Sequence, residues 1–303
     1  MTIPVYAGFL IMRIDLHIHS NCSDGRMTLE EIFHEADQRG MGLISITDHD
    51  SMDAQATAKS LAEQHGIHYI NGLELSVTFS HSKYRKGKAV SLDFLAYQYD
   101  IQYTPLIDKL EELREYRQER AERILEKINQ ELIKENLQAF SQQDLEAIQN
   151  SVDGTFGRPH IAAYMIKQGI VANKKEAFDR YLVKCNVPKM PLSLQEASVL
   201  IRGAQGTLML AHPNDPRGTS LISLTDSLSE QQKIIEEAML PYIDGVECWH
   251  SMHDANTTAS YLAFARKLGL MRTGGSDCHQ SPVLMGTVDI PADVAGQFGV
   301  PVT

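Results

Sequence analysis

The chain has 303 residues, of which 43% are hydrophobic, and its formal net charge is −11. A chain of this length can bury one large core, or one core with an inserted subdomain. The acidic balance disfavours a nonspecific grip on duplex nucleic acid, which needs a basic surface. It does not exclude phosphate substrates, because bound divalent cations reverse the local sign of the charge.

The N-terminus and the cysteines bear on location. Residues 7–11 are apolar but are far too short to span a bilayer, and no basic leader precedes them. Residues 1–12 are therefore predicted to be an N-terminal extension, with Met12 as a candidate true start. The four cysteines are scattered without a C-x-x-C pair, which favours a reduced, cytoplasmic protein. No other stretch resembles a transmembrane segment, so no membrane partner is expected.

An alternation of strands and helices opens the chain. Strands are predicted at residues 13–18, 42–47 and 67–71, and helices at 28–40 and 53–66, the first opened by a capping box of Thr28 and Glu31. A strand followed by a helix and another strand implies that the two strands are parallel and joined by a right-handed crossover. In such sheets and barrels, functional residues collect at the carboxyl ends of the strands.

The pattern changes after the third strand. Residues 76–100 are predicted to form a hairpin, and residues 103–136 a long charged helix. Helices follow at 141–150, 158–168, 173–182 and 193–202. This indicates a helical insertion, residues 101–202, within a main domain of residues 13–100 and 203–303. The alternation then returns, with strands at 206–211, 243–249 and 270–274 and helices at 229–240 and 255–268.

Several predicted strand ends carry residue types that bind metal ions. His17 and His19 are separated by one residue and therefore lie on the same side of a strand. A lone histidine is more often structural than a ligand, so the joint placement carries the hypothesis. Mixed histidine and carboxylate ligands favour Mn, Fe or Zn in a hydrolytic site. The residues at these ends are His17, His19, His49, Glu74, His212, Asp277 and His279.

The motifs at these positions resemble those of the PHP (polymerase and histidinol phosphatase) family. They are D-L-H-I-H-S, S-D-G, I-T-D-H-D, G-L-E-L-S, G-R-P-H-I-A, A-H-P and G-S-D-C-H. Their order and spacing are similar to a branch that includes 3′,5′-nucleoside bisphosphate phosphatases and a 5′-3′ exoribonuclease. The resemblance covers residues 13–286. It implies an α/β fold, a distorted seven-stranded (β/α) barrel that is TIM-barrel-like, with an inserted helical subdomain.

The resemblance also implies a centre of two to three divalent ions, Mn, Fe or Zn, with Mg possible. The first ion would share one carboxylate with the third. The implied ligands are His17, His19, Glu74 and Asp277 for the first ion, Asp24, His49 and His279 for the second, and Glu74, His160 and Asp93 for the third.

The third ion depends on a position where this chain departs from the family pattern. Relatives commonly have a histidine in a phrase like H-L-L-G-Y, where this chain has Asp93 in D-F-L-A-Y. An aspartate can bind a hard cation, which shifts the preference toward Mn, Mg or Fe. His81, on the same hairpin, is the rival ligand.

The function that the resemblance implies is hydrolysis of a phosphate monoester, with a metal-bridging hydroxide attacking phosphorus at a centre that includes Glu74 and Asp277. A small nucleotide is the expected substrate, such as a nucleoside 3′,5′-bisphosphate that loses its 3′-phosphate. Arg158 is expected to clamp the phosphate. His212 and His253 are the candidates for binding phosphate or protonating the leaving group.

Three alternatives stay open. One is a 5′-3′ exonuclease acting on short RNA or DNA oligomers. Another is an amidohydrolase-type deaminase or amidase, which also opens with H-x-H, although the pair Asp277 and His279 argues against it. The last is a non-catalytic, metal-stabilised scaffold, although such scaffolds lose ligands that this chain retains. The oligomeric state is left open.

Overall fold

The computed structural model describes residues 12–149, 157–280 and 282–301, so all but Met12 of the predicted N-terminal extension lies outside the described residues. The strands are β1 (Arg13–Ile18), β2 (Met41–Ile46), β3 (His68–Tyr69), β4 (Gly72–Phe79), β5 (Val90–Tyr97), β6 (Thr207–Leu210), β7 (Gly245–His250) and β8 (Met271–Gly275). The helices are α1 (Leu29–Gln38), α2 (Gln55–His65), α3 (Thr104–Lys134), α4 (Gln142–Gln149), α5 (Arg158–Lys167), α6 (Lys174–Ala177), α7 (Leu194–Gly203), α8 (Leu228–Ala238), α9 (Ala255–Leu268) and α10 (Asp293–Gly296).

The strands form two sheets. In the first, β1, β2 and β3 are parallel, as predicted, although the third strand is only two residues long. In the second, β6, β7 and β8 are parallel, but β5 runs antiparallel to both β4 and β6. The hairpin begins at Gly72 rather than residue 76, because β4 pairs with β5 along its whole length.

Single bridges connect the two sheets near the carboxyl ends of β1 and β2. Ile18 pairs with Cys278, and His49 pairs with Glu74. The backbone of Glu74 donates to Asp48 (3.2 Å) and accepts from Asp50 (2.8 Å). Among the described residues the ladders remain two open sheets of three and five strands, so the closed seven-stranded barrel is not confirmed. The bridges nevertheless bring predicted metal ligands of both sheets to one place.

Three clusters of buried apolar side chains support this arrangement. One surrounds the larger sheet and includes Leu106 at the start of α3, and another packs α1 and α2 on the smaller sheet through residues such as Phe33. The third lies within the helical region, where Ile128 of α3 and Met165 of α5 belong to the same cluster. Helix α3 therefore contributes to two clusters. The exact limits of the insertion stay a prediction.

Helix α3 is 31 residues long and has one apolar face. Leu106, Leu110 and Leu113 are buried at helical spacing. Ion pairs such as Arg123 with Glu119 (3.0 Å) cover its exposed side. Its charge makes α3 unsuited to a bilayer, and within the described ranges no other helix is both long and apolar enough to cross one.

Gly275, the last residue of β8, lies against His17 of β1. A Cβ atom at this position would overlap the Cβ of His17 and lie 2.5 Å from its backbone nitrogen. We expect Gly275→Ala to lower the free energy of unfolding by about 1–3 kcal/mol, because one of the two strands has to move. Urea denaturation at equilibrium measures this difference.

Gly296 in α10 offers the matched control. A Cβ atom there meets nothing within 4 Å, and its backbone does not have a positive φ. Gly296→Ala is therefore expected to leave stability unchanged or raise it by up to about 1 kcal/mol. A similar loss of stability in both variants would contradict the steric explanation.

Candidate metal centre

The carboxylate of Glu74 lies among four imidazoles. Its Oε2 is 3.4 Å from His17 Nε2, 3.2 Å from His19 Nε2 and 3.1 Å from His49 Nδ1. Its Oε1 is 3.1 Å from His212 Nε2. Glu74 is only 1% exposed. One buried carboxylate thus faces ring nitrogens that come from β1 and from the segments after β2 and β6.

Asp277, just after β8, completes the first predicted ligand set. Its Oδ1 is 3.4 Å from His17 Nε2 and 3.2 Å from His19 Nε2. Ligand atoms of these three residues all lie within 4.8 Å of one another. The structure therefore brings together His17, His19, Glu74 and Asp277, which the resemblance to the PHP family assigns to one ion.

The second predicted ligand set also converges. Asp24 Oδ1 is 3.1 Å from His279 Nε2, and Asp24 Oδ2 is 3.9 Å from His49 Nε2. Together with His19, these residues form a group whose ligand atoms lie within 4.8 Å of one another. Asp48 holds the loop that carries Asp24, because its carboxylate accepts hydrogen bonds from the backbone and hydroxyl of Ser20 and from the hydroxyl of Ser23.

Several buried ligand atoms make no hydrogen bond within the described part of the chain. They include His19 Nδ1, His212 Nδ1 and Glu74 Oε2. The Nε2 atoms of His17 and His19 lie 3.1 Å apart and point to the same place. Unsatisfied buried polar atoms are costly, and convergent ones are typical of groups arranged around an ion. The imidazole and carboxylate donors fit Mn, Fe or Zn.

The charges in the centre stabilise one another. Burial by itself lowers the pKa of His17, but the carboxylates of Glu247, Glu74 and Asp277 outweigh it and raise that pKa well above its usual value. In turn, although burial raises them, the neighbouring histidines hold the pKa values of Glu74 and Asp277 well below their usual range. A divalent cation must displace protons from such imidazoles, so its binding strengthens as the pH rises.

Asp93 lies close to the centre but in a different contact. It is buried on β5, and its Oδ1 accepts a hydrogen bond from Ser76 Oγ (2.9 Å). Burial and the charge of Glu74 raise its pKa. Lys189 Nζ also donates to Ser76 Oγ, at 3.3 Å. Among the described groups of ligand atoms within 4.8 Å of one another, none includes Asp93, so its role as a ligand stays a prediction.

The other predicted ligands of a third ion have separate partners. His160 Nδ1 accepts a hydrogen bond from the backbone N–H of Gly157 (3.1 Å) at the start of α5. In a neutral ring this places the proton on Nε2, so binding a metal through Nε2 requires a change of tautomer or conformation. His81 lies in the hairpin turn, 3.6 Å from Glu237. The third ion therefore also remains a prediction.

The other two predicted substrate residues, Arg158 and His253, contact neighbouring groups of the protein. The guanidinium of Arg158 lies over the ring of Phe178, 5.5 Å from its centroid. His253 Nδ1 lies 3.1 Å from the carbonyl of Cys248, and its Nε2 accepts from the backbone of Asn214 (3.4 Å). Burial and a neighbouring histidine lower the pKa of His253 to about 4. Neither prediction is tested by these contacts.

The sequence did not single out Glu247, in the middle of β7. Its Oε1 is 3.0 Å from His17 Nδ1, and its Oε2 accepts a hydrogen bond from the backbone N–H of His212 (2.7 Å). The carboxylate of Asp15 also lies near the end of β8, where it accepts hydrogen bonds from the backbone N–H groups of Ser276 and Gly286. The sequence does contain a signal for Glu247, because G-V-E-C-W-H predicts a buried strand and a buried glutamate needs a partner.

A further group of possible ligands extends the centre on the side of β7. Asp215, His250 and Asp277 have ligand atoms within 4.8 Å of one another, and His250 Nε2 is 3.7 Å from Asp277 Oδ2. The backbone is left-handed at His212 (φ 22°) and Asp277 (φ 54°). Such conformations are uncommon for residues other than glycine and cluster at functional sites.

Comparisons with known proteins agree with this geometry. The model of the PHP domain matches residues 15–186, more than half of the chain. A 3′,5′-nucleoside bisphosphate phosphatase of Chromobacterium violaceum is 27% identical over 280 residues, covering 88% of this chain and 87% of that protein. A 5′-3′ exoribonuclease of Escherichia coli is 25% identical over 271 residues, covering 88% and 85%. A solved structure from Bifidobacterium adolescentis, named as a candidate metal-dependent phosphoesterase, has a TM-score of 0.74 at 27% identity and covers 94% of this chain and 95% of its own.

Proposed function

Because the chain belongs to the PHP domain family and is a metal-dependent phosphoesterase, we propose that it hydrolyses a phosphate monoester of a small nucleotide. The 3′-phosphate of a nucleoside 3′,5′-bisphosphate is the proposed target. The observation that carries the proposal is Glu74, whose Oε2 lies within 3.4 Å of ring nitrogens of His17, His19 and His49.

The residues that would hold the ions form two adjoining sets. Divalent ions bound there would supply Lewis acidity toward the phosphoryl group. Two such ions outweigh the three carboxylates among these ligands, so the centre attracts phosphate although the chain is acidic. The first set is His17, His19, Glu74 and Asp277, and the second is Asp24, His49 and His279.

His212 is the residue best placed to move a proton. Its Nε2 contacts Glu74 Oε1, and its backbone is anchored by Glu247. Burial lowers its pKa, but the hydrogen bond and charge of Glu74 raise it to about 9. A ring protonated at neutral pH carries a proton on Nδ1, which makes no hydrogen bond to the described residues. In the proposed reaction this proton goes to the departing alkoxide.

Exonucleolytic cleavage of short oligomers is the second candidate. It is favoured by cations that reach the rim of the centre from the helical region. Arg117 of α3 pairs with Asp50, and Lys189 contacts Ser76. These side chains could hold backbone phosphates of a second or third nucleotide.

A comparison of two substrates in the presence of Mn²⁺ separates the candidates. We expect release of inorganic phosphate from adenosine 3′,5′-bisphosphate to exceed release of nucleotides from a short 5′-phosphorylated RNA. The reverse order would favour the exonuclease. No turnover of either substrate would overturn both proposals and leave the scaffold alternative, and turnover of an amide substrate with zinc would favour the amidohydrolase.

A further inference from the structure

A cavity of about 700 Å³ opens beside the metal centre, at the carboxyl end of β7. It lies between the first half of α9 and residues 282–289. A cavity of this size accommodates a small organic ligand. Most of its wall is apolar and includes Trp249, Met252, Leu262, Leu284 and Val288.

The cavity and the metal centre share a wall. His250 lines the cavity, and its Nε2 is 3.7 Å from Asp277 Oδ2. The ring centroid of His250 is 5.3 Å from that of His212, the proposed proton donor. One imidazole therefore separates the cavity from the ligands. A ligand in the cavity would therefore lie about one side chain away from a phosphate held at the centre.

The polar groups of the cavity favour an uncharged ligand. Arg217 and Asp289 place one charge of each sign on its wall. Ser251 lines it as well, and the buried hydroxyl of this residue makes no hydrogen bond among the described residues. Flat apolar surfaces with a few hydrogen-bonding groups suit an aromatic heterocycle, whereas a phosphate would need a net positive lining.

We propose that this cavity binds the nucleoside of the substrate, with the base against Trp249, while the phosphate lies at the metal centre. The assignment rests on the proposed function, because it takes a nucleotide to be the substrate. It follows that the enzyme prefers nucleotides over phosphate esters with small leaving groups. The lining residues of β7, α9 and 282–289 would then determine specificity.

The single tryptophan of the chain provides a direct measurement. Titrating adenosine into the metal-free protein is expected to change the fluorescence of Trp249 in a saturable manner. This signal does not depend on catalysis or on bound ions. Adenosine carries no phosphate, so it reports on the cavity alone.

A matched pair of variants tests the link to catalysis. Ala259 is an exposed residue of α9 that lines the cavity, and Ala263 is exposed on the same helix outside the lining. We expect Ala259→Phe to abolish the fluorescence change and to raise KM for adenosine 3′,5′-bisphosphate by about tenfold or more. Ala263→Phe should resemble the wild type in each measurement, and thermal melting verifies that both variants fold.

The outcomes separate this inference from the proposed function. If the wild type hydrolyses the bisphosphate but Ala259→Phe leaves its KM unchanged, or adenosine leaves the fluorescence of Trp249 unchanged, the cavity assignment is overturned while the proposed function stands. If adenosine binds in the wild type and not in Ala259→Phe, although no phosphate ester is hydrolysed, the cavity is a nucleoside site and the proposed function fails.

Discussion

Glu74→Gln is expected to lower phosphate release by more than about 100-fold, because even residues one step removed from a metal contribute about 10–100-fold. The substitution keeps the size of the side chain but removes the charge that faces His17, His19 and His49. It also places an amide group among ring nitrogens. The rate of phosphate release and the metal content of the purified protein measure the effect.

Glu63 provides the control for this substitution. It is exposed on α2, away from the centre, and Glu63→Gln should retain both metal and activity. If Glu74→Gln kept wild-type activity with a full complement of metal, the ligand assignment would be wrong. A variant that kept metal but lost activity would instead assign Glu74 to the chemical step.

Glu247→Gln is the second substitution with a large expected effect. The neutral amide no longer holds the His17 ring by charge, so metal affinity is expected to fall by about 10–100-fold. Glu247 contacts His17 Nδ1, and His17 Nε2 faces Glu74 and Asp277. Competition with a metal chelator measures the affinity.

The pH dependence of stability without metal provides a separate measure of the same pair. Burial raises the pKa of Glu247, but His17 lowers it overall, and the pKa of His17 is raised. A carboxylate whose pKa is lowered on folding stabilises the fold at pH values above its unfolded-state pKa. This stabilisation is lost as the pH falls through its folded-state pKa. A histidine whose pKa is raised on folding stabilises the fold at pH values below its unfolded-state pKa. This stabilisation is lost as the pH rises through its folded-state pKa. The free energies of unfolding of the wild type and Glu247→Gln should therefore differ most between the lowered pKa of Glu247 and the raised pKa of His17. They should converge at lower and at higher pH.

Glu236→Gln is the control, since Glu236 pairs with Lys267 at the surface (3.3 Å), where an ion pair contributes about 0–1 kcal/mol. It should leave metal affinity unchanged. Equal losses of affinity in both glutamate variants would indicate a general effect of charge rather than a contact with His17.

Much of the ligand set could be predicted because metal chemistry restricts residue types and strand ends restrict positions. His17 and His19 are two positions apart at the end of β1, so their side chains lie on the same side. Asp277 and His279 directly follow β8. The grouping of Asp24 with His49 and His279 was implied by the resemblance to the PHP family, and the structure brings the three side chains together. The sequence thus contained the composition of the centre, although not its distances.

Other features depend on tertiary contacts that no local pattern reports. The antiparallel pairing of β5 with β6 is established across the whole helical insertion, from Tyr97 to Thr207. The ligand role of His160 stays a prediction, because the hydrogen bond that its Nδ1 accepts from Gly157 does not test it. Glu247 looked like an ordinary strand residue, because its partner His17 lies 230 positions away.

The distance along the chain between the ligands has a consequence for biosynthesis. His17 and Asp277 are neighbours in space, at 3.4 Å, but they are separated by 260 positions along the chain (277 − 17). At about 5–20 residues per second, the ribosome completes the set on the order of ten to fifty seconds after it has made β1. Until then the nascent chain offers the imidazoles of β1 without their last carboxylate. An ion captured early would be held by a partial set of ligands and would exchange more readily than one bound after β8 has docked.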